Sequence, residues 1–263
     1  MINLILAGIS SYNVRQQVPS DIKIGNKFLH SKDIQTQGYL NRISEWTQEK
    51  EMKLNCNKSN YMIFNFSKLH QFNLRLHLEN TLLSQVKETC LLGVKITDDL
   101  KWHTNTASLV ARCYKRMTIL RNLSSFYVPI IEMINIYCLY IRSVAEQSCV
   151  IWFSAITTGE ENDLERIQKV ALRIILKENY ISYESALNIT NLETLKARRS
   201  RLAKKFAIKC TKNEKTKDMF PLKSNVIDTR NSEKYEVTRA KTNRLAVSSI
   251  PTMQKMLNKM KQR

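Results

Sequence analysis

Two adjacent aspartates, Asp98 and Asp99 in CLLGVKITDDLKW (90–102), are the residues best suited to chemistry in this chain. Paired carboxylates hold the two metal ions of polymerases and nucleases, but such a site needs further carboxylates, usually from separate strands, converging on ions about 4 Å apart. Residues 1–100 contain nine Asp/Glu, and no second motif among them offers a partner. Asp also accepts local backbone hydrogen bonds, so the doublet equally suits a turn after the apolar run LLGVKI. The turn is the reading the chain grammar favours. His30, His70, His77 and His103 share no HxH or HxxxH spacing, so they outline no metal site. His77 falls where a strand would turn it to solvent, opposite a row of leucines. GxGxxG, GxxxxGK[ST] and GxSxG are all absent, which removes the nucleotide-binding and serine-nucleophile signatures.

Charge is the second feature with chemical meaning. The chain has 263 residues and a net charge of +19. Residues 1–100 carry 12 Lys/Arg against 9 Asp/Glu, whereas residues 101–263 carry 30 against 14. A polyanion is the partner such asymmetry suits, and nucleic acid is the commonest one. The densest run, 196–217, holds ten Lys/Arg and one acid, Glu214. Arg198, Arg199, Arg201, Lys204 and Lys205 are crowded there with no acid at i±4, which suits a phosphate-contacting helix or a nuclear-localisation patch. A solvated helix face is the alternative.

These residues need elements to position them. Five Gly and four Pro in 263 residues favour long helices over sandwiches or barrels. Residues 1–36 read as irregular, with INLILAGI resembling an uncapped helix cut from something longer. Helical spacing of Leu40, Ile43, Trp46, Thr47, Lys50 and Leu54 predicts one amphipathic helix over 37–54. NYMIFNF (60–66), FNLRLHL (72–78) and ETCLLGVKI (88–96) then predict three short antiparallel strands. Beyond 103 the pattern is helical: 104–126, then 129–153 opening at Pro129, then DLERIQKVALRIIL (163–176). In that last segment Leu164, Ile167, Ala171, Ile174 and Ile175 share one face, and Glu165, Arg166, Lys169 and Arg173 the other. LETLKARRSRLAKKFAIKC continues it, and past Pro221 the chain becomes polar, reading as a loose tail with a short basic helix at 252–262. Arg142 and Glu146 interrupt the apolar stretch 130–153, so it reads as buried helix and no membrane partner is expected. Cys56, Cys90, Cys113, Cys138, Cys149 and Cys210 lack metal spacing and lie mostly among apolar residues. Free buried thiols fit an intracellular, reducing compartment, nucleus or cytoplasm.

Several blocks together resemble the reverse transcriptase of jockey-like, non-LTR retrotransposons. WTQEKEMKLNCNKSNYMIF (46–64) looks like the late-palm block of that RNA-directed DNA polymerase, and LLGVKITDDLKWHTNT (91–106) like the block that follows it. LERIQKVALRIIL (164–176) is similar to a helix downstream of the thumb. SYESALNITNLETLKARRSRLAKKFAIKC and NEKTKDMFP look like the C-terminal region of these transposable elements. The resemblance covers roughly residues 1–222. It implies an α+β fragment in three parts: a partial palm-like sheet (1–102), a helical thumb-like region (103–220) and a basic, flexible tail (221–263).

In that family the catalytic aspartates lie in an aromatic-x-Asp-Asp hairpin upstream of the tryptophan helix, about where this sequence begins. The resemblance therefore implies no catalytic residue here, with Mg²⁺ expected only for a full-length parent polymerase, and an exposed strand edge where the rest of the palm would pair. It places Lys58 in the late-palm block and Leu92–Gly93 in a strand that in relatives lies near the primer end. It gives Arg112, Lys115 and Arg116 to the backbone of an RNA or RNA/DNA duplex, bound without sequence preference. A structural or interaction protein is the alternative. The region 100–140 also resembles a helical module assigned to AlkB-like tRNA-modifying dioxygenases, but their His-x-Asp iron motif does not occur.

Overall fold

The computed structural model describes residues 3–13, 19–28, 36–65, 74–223 and 234–260. The chain is an α+β protein that forms two compact units, Met1–Lys101 and Trp102–Arg263. His30, His70 and Phe72 lie outside the described residues.

The first unit is built on a sheet. Strand β1 (Asn3–Asn13) pairs antiparallel with β2 (Pro19–Phe28) on one side and with β3 (Met52–Phe64) on the other. Helix α1 (Thr36–Glu49) lies between β2 and β3 in sequence. Short strands follow: β4 (His77–Leu78), β5 (Thr81–Leu82), β6 (Ser84–Gln85), β7 (Glu88–Leu91) and β8 (Val94–Thr97). Strand β6 joins the main sheet parallel to β3, giving the order β2-β1-β3-β6. Leu40 from α1 packs with Leu54, Tyr61 and Ile63 of β3 and with Leu76, Leu78 and Leu83. Burying each such side chain contributes about 2 kcal/mol.

This arrangement corrects two expectations. Residues 3–13 and 19–28 are strands, not irregular chain: they pair with each other, and β1 also pairs with β3, some forty to sixty residues on, a pairing that leaves little local signal. That pairing makes β3 an interior strand and leaves β2 at the end of the sheet. The amphipathic helix also ends at Glu49; Leu54 is buried in β3, while Trp46 stays 45% exposed.

The second unit is helical. Helix α2 (His103–Ser125) offers Leu109, Cys113, Met117 and Leu120 along one buried face. Pro129 is the N-cap of α3 (Ile130–Ile136), which runs on through a π-helical turn, Tyr137–Arg142, into α4 (Ser143–Ala145). Ser148 then adopts a left-handed conformation (φ 50°) and α5 (Cys149–Trp152) begins. The stretch expected as one helix over 129–153 is thus broken, which lets Trp152 turn into the core. Helix α6 (Thr158–Leu176) starts at a capping box: the Thr157 hydroxyl accepts the Glu160 N–H, and the Glu160 carboxylate accepts the Thr157 N–H. Its apolar face, Leu164, Ile167, Ala171, Leu172 and Ile175, meets α2 and completes the core.

Helix α7 (Tyr183–Thr190) precedes α8 (Leu195–Thr211), and α9 (Asn243–Ala246) precedes α10 (Ser249–Met260). Met253 and Leu257 of α10 pack on Ala203, Ala207 and Cys210 of α8, and Phe220 joins the same cluster. Gln254 and Asn258 accept the backbone N–H groups of Thr238 and Tyr235. Residues 234–260 are therefore anchored to α8, not a loose tail. Among the described residues no helix is long and apolar enough to cross a membrane.

Candidate nucleic-acid interface

Asp99 is committed to a turn. Its Oδ1 accepts the Thr97 hydroxyl at 2.7 Å and the Lys101 N–H at 3.0 Å, and its Oδ2 lies 3.1 Å from Lys101 Nζ. Partial burial raises the carboxyl pKa, but the Thr97 and Lys101 hydrogen bonds outweigh it and leave the group below its ordinary range. Among the described residues no three of His, Cys, Asp or Glu converge as a metal ion would require. Among the described residues, Asp98 and Asp99 have no further carboxylate beside them with which to hold a pair of metal ions.

Lys58 is exposed on β3, where its N–H donates to Asn55 Oδ1. Leu92 and Gly93 are not in a strand. They are the two central residues of the β7–β8 hairpin turn, with φ of 51° and 80°. Positive φ at both positions is the type I′ pattern, whose twist matches that of the flanking strands. ETCLLGVKI is thus a hairpin, and Leu92 stands 89% exposed at its tip.

The basic residues of the second unit separate into paired and unpaired sets. Arg199 is 2% exposed, packed over the Trp152 ring and 3.6 Å from Glu161. Burial lowers its pKa, opposed by the nearby Glu165 and Glu161 carboxylates. A side chain so enclosed cannot reach a phosphate, so its assignment to the binding face is corrected. Arg198 donates to Glu146 and lies 3.7 Å from Glu193, and Arg201 donates to Glu193. The acids that balance α8 come from elsewhere in the chain, not from i±4. Glu165 completes this arrangement. It accepts the N–H groups of Leu195 and Lys196 at 3.1 and 3.2 Å, while Thr194 accepts that of Ala197, so the α8 N-terminus is capped from two sides. Glu165 also accepts the Tyr183 hydroxyl, and Gln168 links Tyr183 to Tyr137.

Lys204 and Lys205 remain exposed on α8, and Lys115 on α2, with no carboxylate paired to them among the described residues. Arg116 stacks on Tyr140 (4.3 Å) and donates to the Tyr140 carbonyl at 2.6 Å. Arg112 is half-buried, and its Nε has no partner. On α6, Arg166 and Arg173 are exposed and Lys169 half-exposed, bordering a shallow concavity of about 400 Å³ with Asn162, Asp163 and Val170. Glu165 is turned away from that face towards α8.

What the sequence did not reveal is that Glu146, Glu161 and Glu193 pair with the arginines of α8 and that Glu165 caps it. Only the Thr157–Glu160 capping box carried a readable signal for where α6 begins. No family model matches the chain, and no curated protein matches it.

Proposed function

We propose that the chain is a nucleic-acid-binding protein descended from a jockey-like reverse transcriptase, holding RNA or an RNA/DNA hybrid through phosphate contacts without itself polymerising. The observation that carries the binding reading is the unpaired set of cations in the second unit. Lys115, Lys204 and Lys205 project into solvent while the arginines beside the two lysines of α8 are matched by carboxylates. Unmatched surface cations are the groups that release counterions from a phosphate backbone. The descent rests on the blocks at 46–64, 91–106 and 164–176 and their order. The reading that it does not itself polymerise draws on the resemblance, since the one Asp-Asp pair in the sequence is not of the aromatic-x-Asp-Asp form. The engagement of Asp99 in its own turn supports it.

A filter-binding titration tests the binding. Affinity for RNA should fall steeply between about 50 and about 200 mM salt, and a flat response overturns the reading. Primer extension with Mg²⁺ tests the second part. Incorporation that survives Asp98→Asn/Asp99→Asn but stops on chelation would show a metal site elsewhere in the chain.

A second reading, an interaction protein, draws on Phe126, Tyr127 and Ile131 at the α2–α3 connection and on Leu139 in the π-helical turn after α3, all about two-thirds exposed or more. Apolar groups so placed suit a protein partner. It gains if the chain self-associates or co-purifies with protein while showing no salt-dependent RNA binding.

A further inference from the structure

We infer that the principal phosphate-binding surface of the second unit is the row Arg166, Lys169 and Arg173 on α6, and that its ligand is the sugar–phosphate backbone of a nucleic acid strand. The inference rests on the nucleic-acid-binding reading above and moves its centre away from α8.

The spacing i, i+3, i+7 puts the three side chains within roughly 60° of one another around the helix axis and spreads them over about 10 Å along it. A row of that length can meet neighbouring phosphates of one strand. All three residues border one shallow concavity of about 400 Å³, so a ligand lying along the helix meets them together.

Their charge is available. None of the three forms an ion pair with a carboxylate among the described residues. The acid that precedes the row, Glu165, is held by the Leu195 and Lys196 N–H groups on the far side. Asp163 borders the N-terminal end of the concavity and offsets one of the three charges. Two rings hold the cations in place: Lys169 Nζ sits 5.1 Å from the Tyr183 ring centre and the Arg173 guanidinium 5.3 Å from that of Tyr180. Such contacts reduce the freedom lost on binding. On α8 the corresponding arginines are matched by Glu146, Glu161 and Glu193.

The test compares full-length variants binding a single-stranded RNA oligonucleotide of mixed sequence, read as the slope of log K against log salt. Arg166→Gln/Lys169→Gln/Arg173→Gln should reduce the slope by about 2, which is about 100-fold weaker binding near 0.1 M salt. Lys204→Gln/Lys205→Gln should have the smaller effect. If the α6 variant keeps the wild-type slope while the α8 variant loses it, the inference fails and the binding reading stands. If the wild type shows no slope, the reading itself fails, and the inference with it. Should the triple variant unfold by circular dichroism, lysine acetylation of the wild type decides. Bound RNA should protect Lys169 more than Lys204, and the reverse order overturns the placement.

Discussion

Glu165 Oε1 on α6 accepts the backbone N–H of Leu195, the first residue of α8, at 3.1 Å across thirty residues of sequence. One carboxylate thus supplies the negative charge that the α8 N-terminus favours and fixes where the most basic helix of the protein begins. Because Glu165 also accepts the Tyr183 hydroxyl, it belongs to a polar chain through Gln168 to Tyr137, whose hydroxyl burial holds firmly protonated.

Removing this cap should destabilise the second unit. Glu165→Ala leaves two helix N–H groups and the Tyr183 hydroxyl without their acceptor, a loss of about 1–3 kcal/mol. Glu165→Gln keeps one acceptor oxygen and should recover part of it. Urea denaturation checks this: the midpoint should fall in the order wild type, Gln, Ala with an unchanged m value. Equal midpoints would show that the cap contributes nothing.

Arg199 should behave as a core residue. Arg199→Ala opens a void beside Trp152 and removes one of the two cations beside Glu161, which keeps Lys196, for a loss of about 2–5 kcal/mol that comes mainly from the void. Arg199→Met fills similar space without a charge and should lose clearly less. Thermal unfolding of the pair separates the two effects. An Arg199→Ala protein as stable as wild type would contradict the burial.

The β7–β8 turn offers a change of opposite sign. Leu92 adopts φ of 51°, where a β-branched or bulky apolar side chain is strained and Asn is not. Leu92→Asn should stabilise the hairpin by about 0.5–1 kcal/mol, and Gly93→Ala, at φ of 80°, should destabilise it by about 1 kcal/mol. Amide hydrogen exchange at Leu91 and Val94, the hydrogen-bonded pair that closes the turn, reads both. Faster exchange in the Asn variant would rule out the I′ turn.

Asp99 should mark the acid limb of stability. Its folded pKa lies below the ordinary 3.8, so the ionised form is the one the turn prefers. Its contribution is complete above 3.8 and is lost as pH falls further through the folded value. Replacing it with Asn removes that contribution, so the wild type's advantage over Asp99→Asn should be constant near neutrality and shrink below about pH 4. An advantage unchanged from pH 7 to pH 2.5 would refute the assignment.

How far the fold was legible depended on the range of the interaction concerned. The α6 face was readable because Leu164, Ile167 and Ala171 repeat at helical spacing and meet the core together. The capping box at Thr157 and the Thr194 cap were likewise encoded within four residues. The long strands β1 and β2 were not readable: neither sustains a period-2 alternation, and β1 is held on its other side by β3, far along the chain. Nor was the break at Ser148, where a left-handed residue inside an apolar stretch lets Trp152 reach the core. In the site, Arg166, Lys169 and Arg173 were legible as a polar face, whereas the fate of Arg198 and Arg199 was not.

The sequence by itself determined the α+β class, the excess of positive charge beyond residue 100, the free thiols and the amphipathic helices. Each of these is a sum over composition or a period of a few residues. Only the tertiary structure decided which cations are available. Coulomb pairing depends on distance in space, and the carboxylates of Glu146 and Glu161 come from 52 and 38 positions away to meet Arg198 and Arg199. A run of charge in sequence is therefore a list of candidates, and folding removes from it every cation that finds an acid first.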